Sequence, residues 1–249
     1  MEDNKNREVV ASVRGVTKSF GSHKVLKGIN VDLYKGENLV VLGKSGTGKS
    51  VLIKCLVSLV PIDKGNMTIF GKEITESNQK EITEVRKRMG FLFQSAALYD
   101  SMSVRANLEF PLKRLERSIK KDDLNSRVEQ ALENVGLAHA IDKMPSELSG
   151  GMRKRVGLAR TIIMNPEIIL YDEPTTGLDT ITSREISELI LSLQEKFKTS
   201  AIIITHDMEC AKLTSNRIII LNEGKDIAEG TYDELKNSED KFIKSFFTT

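Results

Sequence analysis

The sequence predicts an α/β protein in which a parallel β-sheet is covered on both faces, a β-rich segment comes first, and a block of helices is inserted in the middle. After residue 166, short and fully apolar segments alternate with amphipathic helical ones. This alternation is typical of strands that are buried on both faces. The first forty residues are also β-rich, whereas the apolar residues between Leu98 and about Asn165 follow the helical period.

The N-terminal half is predicted to form several strands before its first helix. Residues 9–14 and 25–33 are β-rich, and turns are expected at Gly21–Ser22 and Lys35–Gly36. An apolar strand at 38–42 leads through a glycine-rich loop to a helix at 51–56. Two further short strands are expected at 67–71 and 89–93.

The middle of the chain is predicted to be helical, and the C-terminal part is predicted to alternate between strands and helices. Val128, Leu132 and Val135 share one helix face, and a second helix runs through 152–163. Beyond them we expect strands at 168–171, 201–204 and 217–221, and helices at 182–196 and 207–213. We therefore predict one domain over 1–249, with a core of about 1–95 and 166–249 and a helical subdomain of about 96–165.

Composition narrows the function classes. With 37 basic and 35 acidic residues the net charge is +2, too balanced for the basic face of a nucleic-acid binder. No apolar run is long enough to cross a bilayer, and the N-terminus has no apolar signal core. Cys55 and Cys210 show no metal-site spacing, and Cys55 is expected to be a buried thiol. These features predict a cytoplasmic protein that would reach a membrane only by docking.

The eight residues 43–50, GKSGTGKS, are the most informative segment. They fill the P-loop pattern G-x-x-x-x-G-K-[ST] between an apolar strand and a helix. In that setting backbone N–H groups surround phosphates, and the helix N-terminus points at them. Lys49 is expected to reach the β- and γ-phosphates, and Ser50 to hold Mg²⁺.

A pair of carboxylates follows a second apolar strand. Residues 168–173 read IILYDE, the Walker B arrangement. Asp172 is expected to ligate Mg²⁺ through water, and Glu173 to polarise the attacking water as general base. Pro174 predicts an extended backbone at Glu173, because the residue before a proline is restricted.

A second helix N-terminus with phosphate-binding character lies at 148–152, LSGGM. Ser149 is a natural N-cap, and the two glycines expose the first N–H groups of the helix. Here the chain resembles the ATP-binding cassette (ABC) ATPases over about residues 8–235, since LSGGM is similar to their signature motif LSGGQ. The resemblance implies a RecA-like P-loop NTPase core, an N-terminal antiparallel β subdomain and an inserted α-helical subdomain. Met152 departs from the family's glutamine, which puts a contact from that side chain to nucleotide in doubt.

The resemblance also implies a head-to-tail homodimer, in which the signature of one subunit completes the ATP site of the other. Gln94 matches the Q-loop glutamine, which touches Mg²⁺ and the attacking water, and His206 matches the switch histidine. Asp179 falls in the D-loop near the dimer seam, and Phe20 matches the aromatic that stacks on adenine; simple core packing is the alternative for Phe20.

These assignments define the expected site. The catalytic residues are Glu173, His206 and Gln94, and the Mg²⁺ ligands are Ser50, Gln94 and Asp172. The residues expected to bind ATP are Phe20, Gly43, Ser45, Gly46, Thr47, Gly48, Lys49, Ser50, Val51, Ser149, Gly150, Gly151 and Asp179.

Two stretches, 86–104 and 144–152, are similar to the ATPase subunits of Mla/Mce-type phospholipid transporters, which also carry the LSGGM variant. This resemblance implies a polytopic membrane permease as partner and a place on the cytoplasmic face of the inner membrane. It further suggests an Mce-type lipid-binding protein and a small accessory subunit as partners.

Three alternatives remain open from the sequence. An importer of amino acids or another small solute is the runner-up within transport. A non-transport ABC ATPase acting on DNA or ribosomes usually has long coiled coils or two fused cassettes, and this chain has neither. A nucleotide-dependent scaffold with negligible hydrolysis is disfavoured by Glu173, Gln94 and His206.

Overall fold

The computed structural model describes residues 7–75 and 79–247. The segment 1–6, where the sequence shows no apolar signal core, lies outside the described residues. Among the described residues, none of the helices combines the length and the apolar character that a bilayer span requires.

Ten strands form two sheets within the described ranges. In chain order they are β1 (Val9–Phe20), β2 (His23–Tyr34), β3 (Asn38–Leu42), β4 (Lys64–Ile69), β5 (Lys72–Glu73), β6 (Met89–Leu92), β7 (Ile168–Asp172), β8 (Ser200–Thr205), β9 (Arg217–Asn222) and β10 (Lys225–Gly230). The larger sheet has the order β10-β9-β3-β8-β7-β6, and its strands are parallel except for the edge strand β10. The smaller sheet, β2-β1-β4-β5, is antiparallel.

The helices of the described residues occupy the connections between strands. They are α1 (Lys49–Leu56), α2 (Gln79–Lys87), α3 (Val104–Leu115), α4 (Lys121–Glu133), α5 (Gly150–Ile162), α6 (Thr180–Phe197), α7 (Met208–Thr214), α8 (Tyr232–Lys236) and α9 (Lys241–Ser245). Helices α3, α4 and α5 pack against one another between β6 and β7, where the sequence predicts the helical block.

The larger sheet separates two hydrophobic cores, because its central strands bury alternate residues on opposite faces. In β3, Leu39 and Val41 join the core beneath the antiparallel sheet and α1, whereas Val40 and Leu42 join the core of the helical layer. The same alternation holds in β7, β8 and β9. Side chains of successive strand residues point to opposite faces, so a strand that is apolar throughout must be covered on both sides.

The predicted fold class is confirmed: a P-loop NTPase α/β core, an N-terminal antiparallel sheet and an inserted group of helices. The differences are in extent. Strands β1 and β2 are each 12 residues long, longer than the predicted segments. The sequence analysis does not predict β5, α2, β10, α8 or α9.

Both cysteines are buried, as expected for Cys55. Burial raises the pKa of the Cys55 thiol to about 11. It does the same to the thiol of Cys210, whose pKa is also about 11. A buried thiol of this kind packs as a small apolar side chain.

Candidate functional site

The glycine loop joins the end of β3 to the start of α1, and at two of its positions a side chain larger than that of glycine would clash. Gly48 is the N-cap of α1 with φ of +103°. A Cβ there would lie 2.9 Å from Leu26 Cδ2 and 3.0 Å from the Val25 carbonyl oxygen. At Gly43 a Cβ would collide with the carbonyl oxygen of Leu221. The loop therefore requires glycine for both its backbone conformation and its close packing.

Lys49 is buried at the centre of this loop. Its Nζ donates hydrogen bonds to the carbonyl oxygens of Gly43 at 2.7 Å and Lys44 at 3.0 Å. Burial lowers the pKa of Lys49, and the charges of Glu173 and Asp172 oppose that shift. The ammonium group lies 3.9 Å from Glu173 Oε1, so it holds the loop closed and brings a positive charge to the carboxylates.

Ser50 and Asp172 meet across the site, as the Mg²⁺ prediction requires. Ser50 Oγ donates a hydrogen bond of 2.8 Å to Asp172 Oδ1. A hydroxyl and a carboxylate oxygen at this distance fit Mg²⁺, which binds hard oxygen ligands and takes few of them from the protein when phosphates and water supply the rest. Within the described ranges no cluster of three or more His, Cys, Asp or Glu side chains could hold a metal by itself.

Glu173 lies where the carboxyl end of β7 meets the loop. His206 Nδ1 is 2.8 Å from its Oε2, and Thr176 Oγ1 donates to the same oxygen at 3.2 Å. The residue is only 9% exposed. One carboxylate is thus held between a lysine on one side and an imidazole on the other.

The backbone of Glu173 is not extended, so the expectation drawn from Pro174 is wrong. Its φ is +51°, in the left-handed region, which costs energy for a side chain with a Cβ. Three hydrogen bonds hold it there. Its N–H donates to the Ile204 carbonyl at 2.9 Å, and its carbonyl accepts from Lys154 Nζ at 3.1 Å and from the Thr176 N–H at 3.3 Å. Tertiary contacts from two neighbouring segments override the local preference.

An open cavity of about 730 Å³ collects most of the predicted residues. This volume is in the range of small-molecule sites. The cavity is lined by Phe20, Val25, Lys44, Ser45, Gly46, Gly48, Lys49, Ser50, Val51, Gln94, Glu173 and His206. Gly43 and Thr47 lie in the same loop and support it, since Thr47 Oγ1 donates to the Lys44 carbonyl at 2.9 Å.

Phe20 lies at the rim of this cavity at the end of β1. It is 51% exposed, which does not fit the alternative of simple core packing. An exposed ring beside a phosphate-binding loop offers an apolar face for a flat base, and aromatic rings stack well on such a partner.

Ser149, Gly150, Gly151 and Asp179 are not brought to this cavity. Ser149 caps α5, its Oγ accepting from the Met152 N–H at 3.2 Å. Asp179 caps α6 in the same way, with Oδ1 accepting from the Thr182 N–H at 3.0 Å. The two N-termini are neighbours, because a Cβ at Gly151 would lie 2.6 Å from Thr182 Cγ2. These residues form a second cluster, apart from the P-loop of the same chain.

Lys154 is a residue of the site that the sequence analysis misses. It is 5% exposed, and its Nζ donates to the Gln94 carbonyl at 2.5 Å as well as to that of Glu173. Burial lowers the pKa of Lys154 to about 8, against the opposing charges of Glu173 and Asp172. A signal exists in the sequence: Lys154 shares the buried face of α5 with Leu158 and Thr161, where a lysine is out of place.

The comparisons with known proteins agree with this geometry. Residues 26–176 match the family described as ABC transporter. A probable ribonucleotide transport ATP-binding protein, mkl, from Mycobacterium leprae is 37% identical over 96% of this chain and 68% of its own length. The intermembrane phospholipid transport system ATP-binding protein MlaF from Haemophilus influenzae is 36% identical over 94% of this chain and 88% of its own length.

Among solved structures, a dimeric ATP-binding cassette in a post-hydrolysis state, bound to ADP and Pi, aligns with a TM-score of 0.81. It is 30% identical to this chain and aligns over 89% of this chain and 98% of its own. The resemblance inferred from the P-loop, Walker B and signature motifs is therefore confirmed. The chain belongs to the ABC transporter family and is the ATP-binding and ATP-hydrolysing subunit of a transporter.

Proposed function

We propose that two copies of this chain bind and hydrolyse ATP between them and so drive a membrane permease that moves phospholipid. One observation carries the chemical part: the Glu173 carboxylate lies 2.8 Å from His206 and 3.9 Å from Lys49 inside the P-loop cavity. A general base, a polar partner for the γ-phosphate and the phosphate-binding lysine thus converge on one small volume.

The residues of the cavity divide the proposed reaction among them. Lys49 and the N–H groups of 46–51 bind the phosphates, and Phe20 stacks on the adenine. Glu173 takes a proton from the attacking water, and His206 donates a hydrogen bond to the γ-phosphate as charge develops there. Ser50, Asp172 and Gln94 would hold Mg²⁺, which when bound neutralises phosphate charge.

The second phosphate-binding terminus makes a dimer the natural arrangement. Ser149 and Gly151 offer N–H groups at the start of α5, yet they lie away from the cavity of their own chain. We propose that Ser149 of the partner subunit closes the cavity over the γ-phosphate, with Gly150, Gly151 and Asp179 at the seam. The solved relative bound to ADP and Pi is dimeric, which supports this arrangement.

We further propose that 96–165 form a helical subdomain and that the chain docks on a polytopic permease at the cytoplasmic face of the inner membrane. Phospholipid as cargo is supported by the similarity to MlaF and by the stretches 86–104 and 144–152. The relative mkl is named for ribonucleotide transport, so cargo requires its own test. An Mce-type lipid-binding protein and a small accessory subunit would complete the assembly.

The experiment begins with the native complex. The chain is purified with its copurifying membrane protein, reconstituted, and assayed for phosphate release with and without phospholipid, ribonucleotides other than ATP, and amino acids. We expect magnesium-dependent hydrolysis that phospholipid stimulates and the other solutes do not. Stimulation by a small solute alone would overturn the lipid assignment, and absence of hydrolysis in the complex would overturn the function itself.

A further inference from the structure

Lys154 is a buried cation that the reaction scheme above does not use. It lies on α5, the helix that begins at the signature residues Gly150 and Gly151. Its Nζ contacts two other segments, through the carbonyl oxygens of Gln94 at 2.5 Å and Glu173 at 3.1 Å. One ammonium group therefore joins the signature helix to the segment after β6 and to the segment after β7.

The ammonium group of Lys154 is suited to binding two carbonyl oxygens at once. An ammonium group has three donors on a flexible stem, and two of them are used here. Burying a cation is costly unless it is compensated, and the charges of Glu173 and Asp172 offset part of that cost. The charge of Glu173 thus favours the ammonium group that holds the Glu173 backbone.

The two carbonyls belong to Glu173, which the scheme assigns as general base, and to Gln94, which it assigns as a Mg²⁺ ligand. Glu173 is held in a left-handed conformation, φ +51°, so the direction of its side chain depends on what fixes its peptide groups. The N–H side is fixed by the Ile204 carbonyl. The carbonyl accepts from Lys154 Nζ at 3.1 Å and from the Thr176 N–H at 3.3 Å. Without Lys154, the Glu173 carbonyl keeps only the longer, local hydrogen bond from Thr176, so the restraint on the general base is weakened.

We propose that Lys154 is a positioning residue for ATP hydrolysis, which holds the backbones of Glu173 and Gln94 in place relative to the signature helix. This inference rests on the proposed function. In the proposed dimer, the N-terminus of α5 binds the partner's nucleotide while Lys154 orients the general base of its own chain. When α5 engages the γ-phosphate bound to the partner subunit, a shift of α5 would then move Glu173 of its own chain. Hydrolysis at the two ATP sites would therefore be coupled.

The test compares Lys154→Met with Lys113→Met in the full chain. Lys113 is an exposed lysine that pairs with Glu109 on α3, so it controls for the loss of a lysine. We expect Lys154→Met to lower kcat roughly 10- to 100-fold, as misplacement of a catalytic group does, with KM for ATP and nucleotide affinity within about twofold of wild type. Wild-type kcat in a folded Lys154→Met chain would overturn the inference.

A double-mutant cycle separates positioning from general stability. If Lys154 acts through Glu173, adding Lys154→Met to Glu173→Gln should cost little further rate in single-turnover assays with excess protein. Fully multiplicative losses would overturn the inference. If Lys154→Met does not fold, Lys154→Gln carries the same test, because its amide keeps a polar group in the buried position but its nitrogen ends one bond short of the place of Nζ. A kcat below wild type with unchanged affinity supports positioning, and wild-type kcat contradicts it.

The wild-type chain is measured first, so that the two failures can be told apart. No hydrolysis and no ATP-dependent dimer in the wild type would remove the proposed function. Normal wild-type behaviour together with an unaffected Lys154→Met would remove only the role of Lys154.

Discussion

At the scale of single residues, the site depends on one carboxylate that three side chains surround. Glu173 lies beside Lys49, His206 and Thr176. The residue types and their order along the chain predict most of this set. The left-handed φ of Glu173 could not be predicted, because it is imposed by contacts from Ile204 and Lys154 that are distant in sequence.

Replacing the general base should separate binding from turnover. Glu173→Gln keeps the shape of the side chain but cannot accept the proton, so we expect kcat to fall about 10²- to 10⁴-fold. ATP affinity should be retained, because Lys49 and the loop are intact. Phosphate release and fluorescent-nucleotide binding measure the two quantities, with Glu188→Gln on the exposed face of α6 as control. Normal turnover in Glu173→Gln would remove this residue from its role.

Replacing the loop lysine should have the opposite effect. Lys49→Ala removes the ammonium from between the Gly43 and Lys44 carbonyls and removes the positive charge for the phosphates. We expect ATP affinity to fall at least about tenfold, or about 1.4 kcal/mol. Equilibrium binding of a fluorescent ATP analogue checks this, with Lys54→Ala in α1 as control. Equal affinities for the two variants would contradict the role of Lys49.

At the scale of elements, the sequence predicts those whose burial matches a simple period. Strands β7 and β8 are buried at every position, so their apolar runs in the sequence predict them as strands. Strand β10 alternates exposed and half-buried residues, and only Val85 is buried in α2. Such elements are fixed by pairing and packing with the rest of the chain, which no local pattern records.

Replacing Gly48, at the end of the glycine loop, with alanine should destabilise the protein. Gly48→Ala places a methyl group near Leu26 and Val25 at a φ of +103°; strained conformations of this kind cost about 1–3 kcal/mol. Gly71→Ala is the matched control, because Gly71 also has positive φ, at +74°, but open space around it. We expect Gly48→Ala to lose more stability in chemical denaturation, and to lose ATP binding, whereas Gly71→Ala keeps it. Equal losses would show that packing at Gly48 is unimportant.

At the scale of the whole molecule, the two phosphate-binding termini predict an assembly. One chain presents the P-loop cavity in one place and the signature cluster in another. The motifs predict both clusters, because each is contiguous in sequence. Their separation within a single chain cannot be predicted from the motifs, because it depends on tertiary packing such as that of α5 against the start of α6.

Complementation tests the shared site directly. Lys49→Ala and Ser149→Ala chains should each be inactive alone, yet their mixture should regain hydrolysis, because a mixed dimer contains one site with an intact P-loop and an intact partner signature. Mixing Lys49→Ala with Glu173→Gln should restore nothing, since those two changes fall in the same half of the site. Steady-state phosphate release before and after mixing decides. No recovery in the first mixture would argue against sharing.

Because both native cysteines are buried, this chain is suited to site-specific labelling, which can follow the association of two subunits. With thiol pKa values of about 11 for both Cys55 and Cys210, only about one thiol in several thousand is ionised near neutral pH, and the thiolate is the reactive form. Alkylating reagents should therefore leave the folded protein unmodified. A single cysteine introduced at an exposed position can then carry a spectroscopic label without removing either native one.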